Sequence, residues 1–263
     1  MFKKVLLMAS ILSVATTASA VDLTNPFYLP YKGQFGSITT VGTKRYVSKN
    51  KVSHTKSKQL LLQEKVQVGL TDSLALTGTI GNTSDKWRAT WYKNGQKNRD
   101  LENIQWDAGL AWNILKDKTR LQVSANYGQD RLKKFDGDYK YITTEAKAGY
   151  QFSRLLPYIT GAVEIPIAQK SGTKGIAGDK FIYTTKAGIY QGSCEVWALD
   201  TGIRLSYDEN KEERIIAAEA EASYYLTDTA TLGIYGSYAL DGKSKYHRDV
   251  DDISVGARLR MFF

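Results

Sequence analysis

From Gln34 to the last residue the chain is written with a period of two. Ile104, Trp106, Ala108, Leu110, Trp112 and Ile114 alternate with Gln105, Asp107, Gly109, Ala111 and Asn113. Side chains two apart share one face of an extended strand, so this stretch predicts a strand with one apolar and one polar face. The same alternation sets Leu121, Val123, Ala125 and Tyr127 against Arg120, Gln122, Ser124, Asn126 and Gly128. It sets Leu60, Leu62, Val66, Val68 and Leu70 against Gln63, Lys65, Gln67 and Gly69, with Glu64 an exception on the apolar side. Followed through the chain, the pattern predicts about twelve strands, near 34–46, 60–70, 74–80, 104–114, 120–128, 139–152, 157–168, 180–190, 196–207, 215–226, 230–240 and 253–263. Turn chemistry separates them at Thr71-Asp72-Ser73, Lys116-Asp117-Lys118, Arg154, Gly192 to Cys194 and Thr227-Asp228. Longer polar loops are expected at 44–58, 82–103, 135–138, 171–178, 208–213 and 241–251, with Trp87, Trp91 and Tyr92 extending the strands beside the second of these.

The last stretch places Ile253, Val255, Ala257, Leu259, Met261 and Phe263 on one face and Ser254, Gly256, Arg258, Arg260 and Phe262 on the other. An alternating last strand that ends in Phe resembles that of the bacterial outer-membrane β-barrel superfamily, in which the C-terminal Phe is an assembly signal. The resemblance assigns that part to Phe263 and implies the barrel-assembly machinery as a partner. Even strand number and alternating short and long connections agree with an antiparallel, up-and-down transmembrane β-barrel over residues 34–263. Short turns and both termini are then expected on the periplasmic side. Aromatic residues fall in two girdles, Trp112, Phe152, Trp197, Tyr224 and Phe263 near the short turns and Tyr127, Phe181, Tyr207 and Tyr238 near the loops.

The first twenty residues read as a secretory signal: Lys3 and Lys4, an apolar core from Val5 to Ala15, and Ala18-Ser19-Ala20 before the expected cleavage. Residues 21–33 then form a short leader with Pro26 and Pro30, expected to be periplasmic and irregular. It is too short for the passenger of an autotransporter. Beyond it no run of about eighteen apolar residues occurs, which excludes a helical membrane protein. The mean hydropathy of −0.36 does not argue against a membrane barrel, because only alternate residues meet lipid. A single cysteine, Cys194, permits no intramolecular disulfide. The expected location is the outer membrane of a Gram-negative cell, with lipid and lipopolysaccharide as surroundings and no nucleic-acid partner.

Charge supplies the candidate chemistry. The inward set is Lys65, Asp107, Arg120, Glu145, Lys147, Glu164, Lys186, Asp200, Arg204, Glu219, Glu221, Arg258 and Arg260. Such groups line an aqueous path or pair across the lumen and close it. Arg258 and Arg260 either attract passing anions or neutralise Glu219 and Glu221. The strand number resembles that of twelve-stranded anion porins, but Glu219 and Glu221 interrupt any row of arginines, so their substrate is not carried over. Lys49, Lys51, Lys56 and Lys58 make the first loop basic and suit lipopolysaccharide phosphates. Two histidines, His54 and His247, fall in expected outer loops, and no catalytic, metal-binding or cofactor motif surrounds them. The expected function is a monomeric, porin-like passive channel for small hydrophilic, anion-favouring solutes. The alternatives are a closed barrel acting through its loops and a loop-borne outer-membrane hydrolase.

Overall fold

The computed structural model describes residues 22–49, 53–91, 95–132, 137–169, 179–193, 196–244 and 249–263. Its strands are β1 (Phe35–Lys49), β2 (Ser53–Gly69), β3 (Leu74–Trp91), β4 (Gly95–Lys116), β5 (Thr119–Leu132) and β6 (Gly137–Tyr150). The second half supplies β7 (Leu155–Gln169), β8 (Ile182–Ser193), β9 (Trp197–Asp208), β10 (Glu213–Thr227), β11 (Ala230–Lys243) and β12 (Asp249–Phe262). Each strand pairs antiparallel with its sequence neighbours, and β1 closes on β12 in unbroken register from Gly36↔Phe262 to Lys49↔Asp249. Closure pairs every strand on both sides through the barrel wall, which is how a sheet in lipid satisfies its backbone.

Closure is secured at the C-terminus. Phe35 and Phe263 exchange backbone hydrogen bonds of 3.0 and 2.8 Å, and their rings stack at 6.5 Å. Phe262 points the opposite way, is fully buried, and meets the edge of Tyr28 at 4.7 Å. The two faces expected of the last strand are both present.

Two expected loops prove to be largely strand. The 82–103 stretch forms the far ends of β3 and β4, paired continuously from Leu74↔Trp112 to Trp91↔Gly95. The basic 44–58 stretch likewise pairs as β1 and β2, up to Lys49↔His54. Hydrophobic alternation fades there because the inward positions are small or polar, Ser48, Ser53 and Ser57 among them, while the backbone ladder continues without it. Consequently Lys56 and Lys58 are exposed strand residues, and His54 sits on β2. Lys51, Cys194 and His247 lie outside the described residues.

The outward face is apolar through the middle of the barrel, with Ile80, Leu110, Ile159, Ile203 and Ile234 all exposed. Trp112, Phe152, Trp197 and Tyr224 are exposed near the short-turn end; Tyr127, Phe181, Tyr207 and Tyr238 are exposed toward the long-hairpin end. Glu64, the exception on this face, accepts hydrogen bonds from the hydroxyls of Ser37 and Thr39 on β1, the latter at 2.5 Å.

Packed side chains fill the interior at both ends. Near the long hairpins, Ile215, Ala217, Ala239 and Val250 cluster with Tyr46. At the short-turn end the fill comes partly from outside the strands, because Phe27 joins Leu156, Tyr158, Tyr190 and Ala198, and Leu29 joins Ala75 and Ala111.

Candidate functional site in the barrel lumen

Residues 22–34 enter the short-turn end of the barrel and are held there by the wall. The chain runs as turns, with Asn25 N–H donating to Asp22 O at 3.1 Å and Tyr28 N–H to Asn25 O at 2.9 Å. Pro26 and Pro30 remove donors that such a segment could not pair. Leu23, Phe27 and Leu29 are buried, and Phe27 meets Tyr158 edge-on at 6.2 Å. The wall supplies the missing polar partners. Asn113 and Gln122 amides donate to the Phe27 carbonyl at 3.1 and 3.2 Å, and Lys147 Nζ donates to the Pro26 carbonyl at 3.3 Å. At the first described residue, the Tyr190 and Tyr225 hydroxyls donate to the Asp22 carboxylate, the latter at 2.8 Å. Thr24 Oγ1 donates to the same carboxylate at 3.1 Å and lies 2.7 Å from the Tyr190 hydroxyl. On leaving, the leader crosses Gly69 so closely that a Cβ there would overlap the Tyr31 carbonyl.

Above the leader the wall carries charge. On one side Lys186 Nζ lies 3.1 Å from Asp200 and 3.8 Å from Glu219, and Arg204 Nε donates to Glu219 at 2.6 Å. The Tyr158 hydroxyl donates to Asp200 at 2.7 Å, beneath the Lys186 ammonium. Next to this group, Glu221 accepts from both Arg258 and Arg260, the second at 2.5 Å. Of the two arginines weighed against Glu219 and Glu221, therefore, both go to Glu221, and Glu219 belongs to Arg204 and Lys186. Arg260 is almost buried, while Arg258 also lies 4.8 Å from the Tyr235 ring centre. Across the lumen Glu145 and Lys147 pair at 3.0 Å.

A cavity of about 340 Å³ lies between these walls, floored by Leu23 to Pro26, Tyr28 and Leu29 of the leader. Lys65, Glu145, Lys147, Asp200, Glu221, Arg258 and Arg260 line it, with neutral polar groups including Gln63, Gln67, Gln122 and Asn126. The remaining members of the inward set stand apart from it. Asp107 faces Thr79 and Lys65, Glu164 accepts from the Tyr139 hydroxyl at 2.8 Å, and Arg120 has a buried Nε with no hydrogen-bond partner among the described residues. Lys49, Lys56 and Lys58 belong to the projecting β1–β2 hairpin, away from the cavity. Beside them His54 has its pKa lowered, first by desolvation and then by Lys56 and Lys49, and its Nε2 has no hydrogen-bond partner among the described residues.

The leader's place in the lumen was the main feature missed in the sequence. Four large side chains in seven residues, Leu23, Phe27, Tyr28 and Leu29, were the available signal. A solvated periplasmic segment has no use for that density of apolar surface.

No protein-family model matches the sequence, and no curated protein matches it. Solved structures do match in shape. An outer-membrane channel from Pseudomonas putida F1 superposes with a TM-score of 0.64 at 11% identity, over 92% of this chain and 100% of that one. The translocator domain of the autotransporter NalP from Neisseria meningitidis gives 0.58 at 11% identity, over 91% of each chain. The transport unit of the autotransporter AIDA-I from Escherichia coli gives 0.55 at 11% identity, over 99% and 97%. The chain has the fold of an outer-membrane β-barrel. Its exposed apolar waist stands where barrels of this fold meet lipid, and its paired charges line the lumen.

Proposed function

We propose that this barrel is a passive outer-membrane channel for small hydrophilic solutes, with residues 22–34 as a stopper at its periplasmic end. One observation carries the reading: a cavity inside the wall is lined by polar and charged groups, and its floor is a segment outside the barrel strands. A barrel that needed only stability is served better by a packed apolar interior, because ion pairs withdrawn from water contribute little or oppose folding. Selection follows from bore and from field, since charges of both signs along a low-dielectric wall favour solutes that offer matching groups. Lys65 on β2, Lys147 on β6, Lys186 on β8, Arg204 on β9 and Arg258 and Arg260 on β12 distribute cations around the lumen.

A second reading, a closed barrel acting through its projecting hairpins, is favoured by the leader itself and by the Arg258–Glu221–Arg260 bridge, which fill the short-turn half. Planar-bilayer recordings separate the two. The channel reading expects small, intermittent conductance from the full chain and a several-fold rise in open probability for Phe27→Ala, which loosens the stopper. No conductance from either protein, with both folded, ends the channel reading and leaves the closed barrel. The hydrolase alternative has no comparable support around His54, whose charged neighbours are lysines.

A further inference from the structure

The charges lining the cavity do not cancel. Lys65, Lys147, Arg258 and Arg260 face Glu145, Asp200 and Glu221. Glu145 is matched by Lys147, Glu221 by both arginines, and Asp200 by Lys186 behind it. Lys65 is left over. It is half-buried on the cavity wall of β2, and the charges that act on it are Lys147, Glu145, Asp107 and Arg258. Among the described residues it has neither a hydrogen bond nor an ion pair, although Asp107 and Glu145 lie nearby: Asp107 is turned to Thr79 and Glu145 to Lys147. An ammonium that faces a cavity without an ion-pair partner is free to take an anion or ordered water there.

We propose that the cavity is a binding site for a small hydroxylated anion, with Lys65 as the principal ligand of its anionic group. Lys147 and Arg258, already held by Glu145 and Glu221, add positive potential from two sides. The neutral rim fits the rest of such a solute. Gln63, Gln67, Gln122 and Asn126 offer amides, and Thr40 and Ser124 offer hydroxyls, all on the cavity surface. Two of these are committed elsewhere, Asn126 accepting from Thr77 at 2.8 Å and Gln122 donating to Asn113 at 2.8 Å. The volume, at the lower end of the roughly 300–1,000 Å³ usual for small-molecule sites, corresponds to something the size of a monosaccharide. The leader closes the site from below, with the Thr24 to Pro26 backbone on the cavity floor. A sugar acid and a sugar phosphate both present the required chemistry, an anionic oxygen group on a polyol.

The inference rests on the channel reading only for the route by which the solute arrives, so it is tested by binding and not by conductance. Full-length barrel in detergent micelles is titrated calorimetrically with gluconate, glucose 6-phosphate and glucose. At least one anion binds saturably, glucose binds at least tenfold more weakly, and the stronger anion identifies the group that Lys65 holds. Lys65→Gln weakens that binding tenfold or more, Lys65→Arg keeps it within about threefold, and Lys118→Gln, at a short turn, leaves it unchanged. Far-ultraviolet circular dichroism checks that each variant is folded. Equal binding of glucose and the anions, absence of saturable binding, or an unaltered anion affinity in folded Lys65→Gln overturns the site. Conductance without binding sinks the site and spares the channel; binding without conductance does the reverse.

Discussion

Glu221 is the acceptor that two arginines share, and one small residue makes that possible. It stands on β10, Arg258 and Arg260 stand on β12, and β11 runs between them with Gly233 paired to Ser223 on one side and Arg258 on the other. A Cβ at Gly233 would lie 2.7 Å from Glu221 Oε1 and 2.8 Å from Ser223 Oγ, so the side chains meet over a gap that only glycine leaves. Arg260 and Glu221 are nearly dry, with side chains 10% and 12% exposed, whereas Arg204 and Glu219 are 22% and 25% exposed. Removing one member of the drier bridge leaves a cation without compensation. Glu221→Gln is therefore expected to destabilise the barrel by about 3 kcal/mol, and Glu219→Gln by no more than about 1 kcal/mol, since water screens its partner. Urea unfolding in micelles measures both, and equal midpoints would refute the distinction. The alternation of the last strand was enough to turn both arginines inward. Their choice of acceptor was not legible, because it depends on the register of three strands and on the missing side chain at Gly233.

At the scale of an element, the leader behaves as an inserted plug without regular structure. Its Pro26 and Pro30 made the irregular backbone readable in advance, but its destination was not, since no periodicity links a turn-rich segment to the strands that receive it. What holds it is a mixture of apolar burial at Phe27 and Leu29 and a polar anchor at Asp22. The anchor is the more specific of the two, because two tyrosine hydroxyls from β8 and β10 converge on one carboxylate. Hydrogen bonds to an ionised acceptor contribute about 1.5–3 kcal/mol each where neutral ones contribute about 1. Asp22→Ala removes both and leaves the two hydroxyls only Thr24 Oγ1 to share, so the leader is expected to undock far more often while the barrel stays closed. Hydrogen exchange reads this directly: the backbone amides of Asn25, Tyr28 and Gly33 should exchange at least tenfold faster, with those of β1 and β12 unchanged. Uniform acceleration across leader and strands would mean that Asp22 supports the whole barrel and not the plug.

For the whole molecule, the sequence showed the strand count but not the strand lengths, and one physical reason explains both. Alternation is enforced only where one face meets lipid and the other the lumen. Leu110, Trp112 and their neighbours therefore announced β4, while Gly95 to Asn103 belonged to the same strand without showing it. Glu64 breaks the rule on the outward side, and its acceptors are satisfied by Ser37 and Thr39 of β1. The remaining outward surface is a band, and a band has a depth profile. Ile234 is 66% exposed near the middle of β11, and Leu240 is 57% exposed six residues nearer the long hairpins. Both look alike to solvent, but lipid distinguishes them. An arginine at the bilayer midplane destabilises a barrel by about 2–4 kcal/mol and one near the interface by about 0–1 kcal/mol. Ile234→Arg is accordingly expected to lower stability in lipid vesicles by at least 2 kcal/mol more than Leu240→Arg. In a soluble barrel either arginine would simply face water, and the difference would vanish. Reversible urea unfolding from vesicles supplies the measurement, and matching free energies for the two variants would remove the bilayer from around this waist.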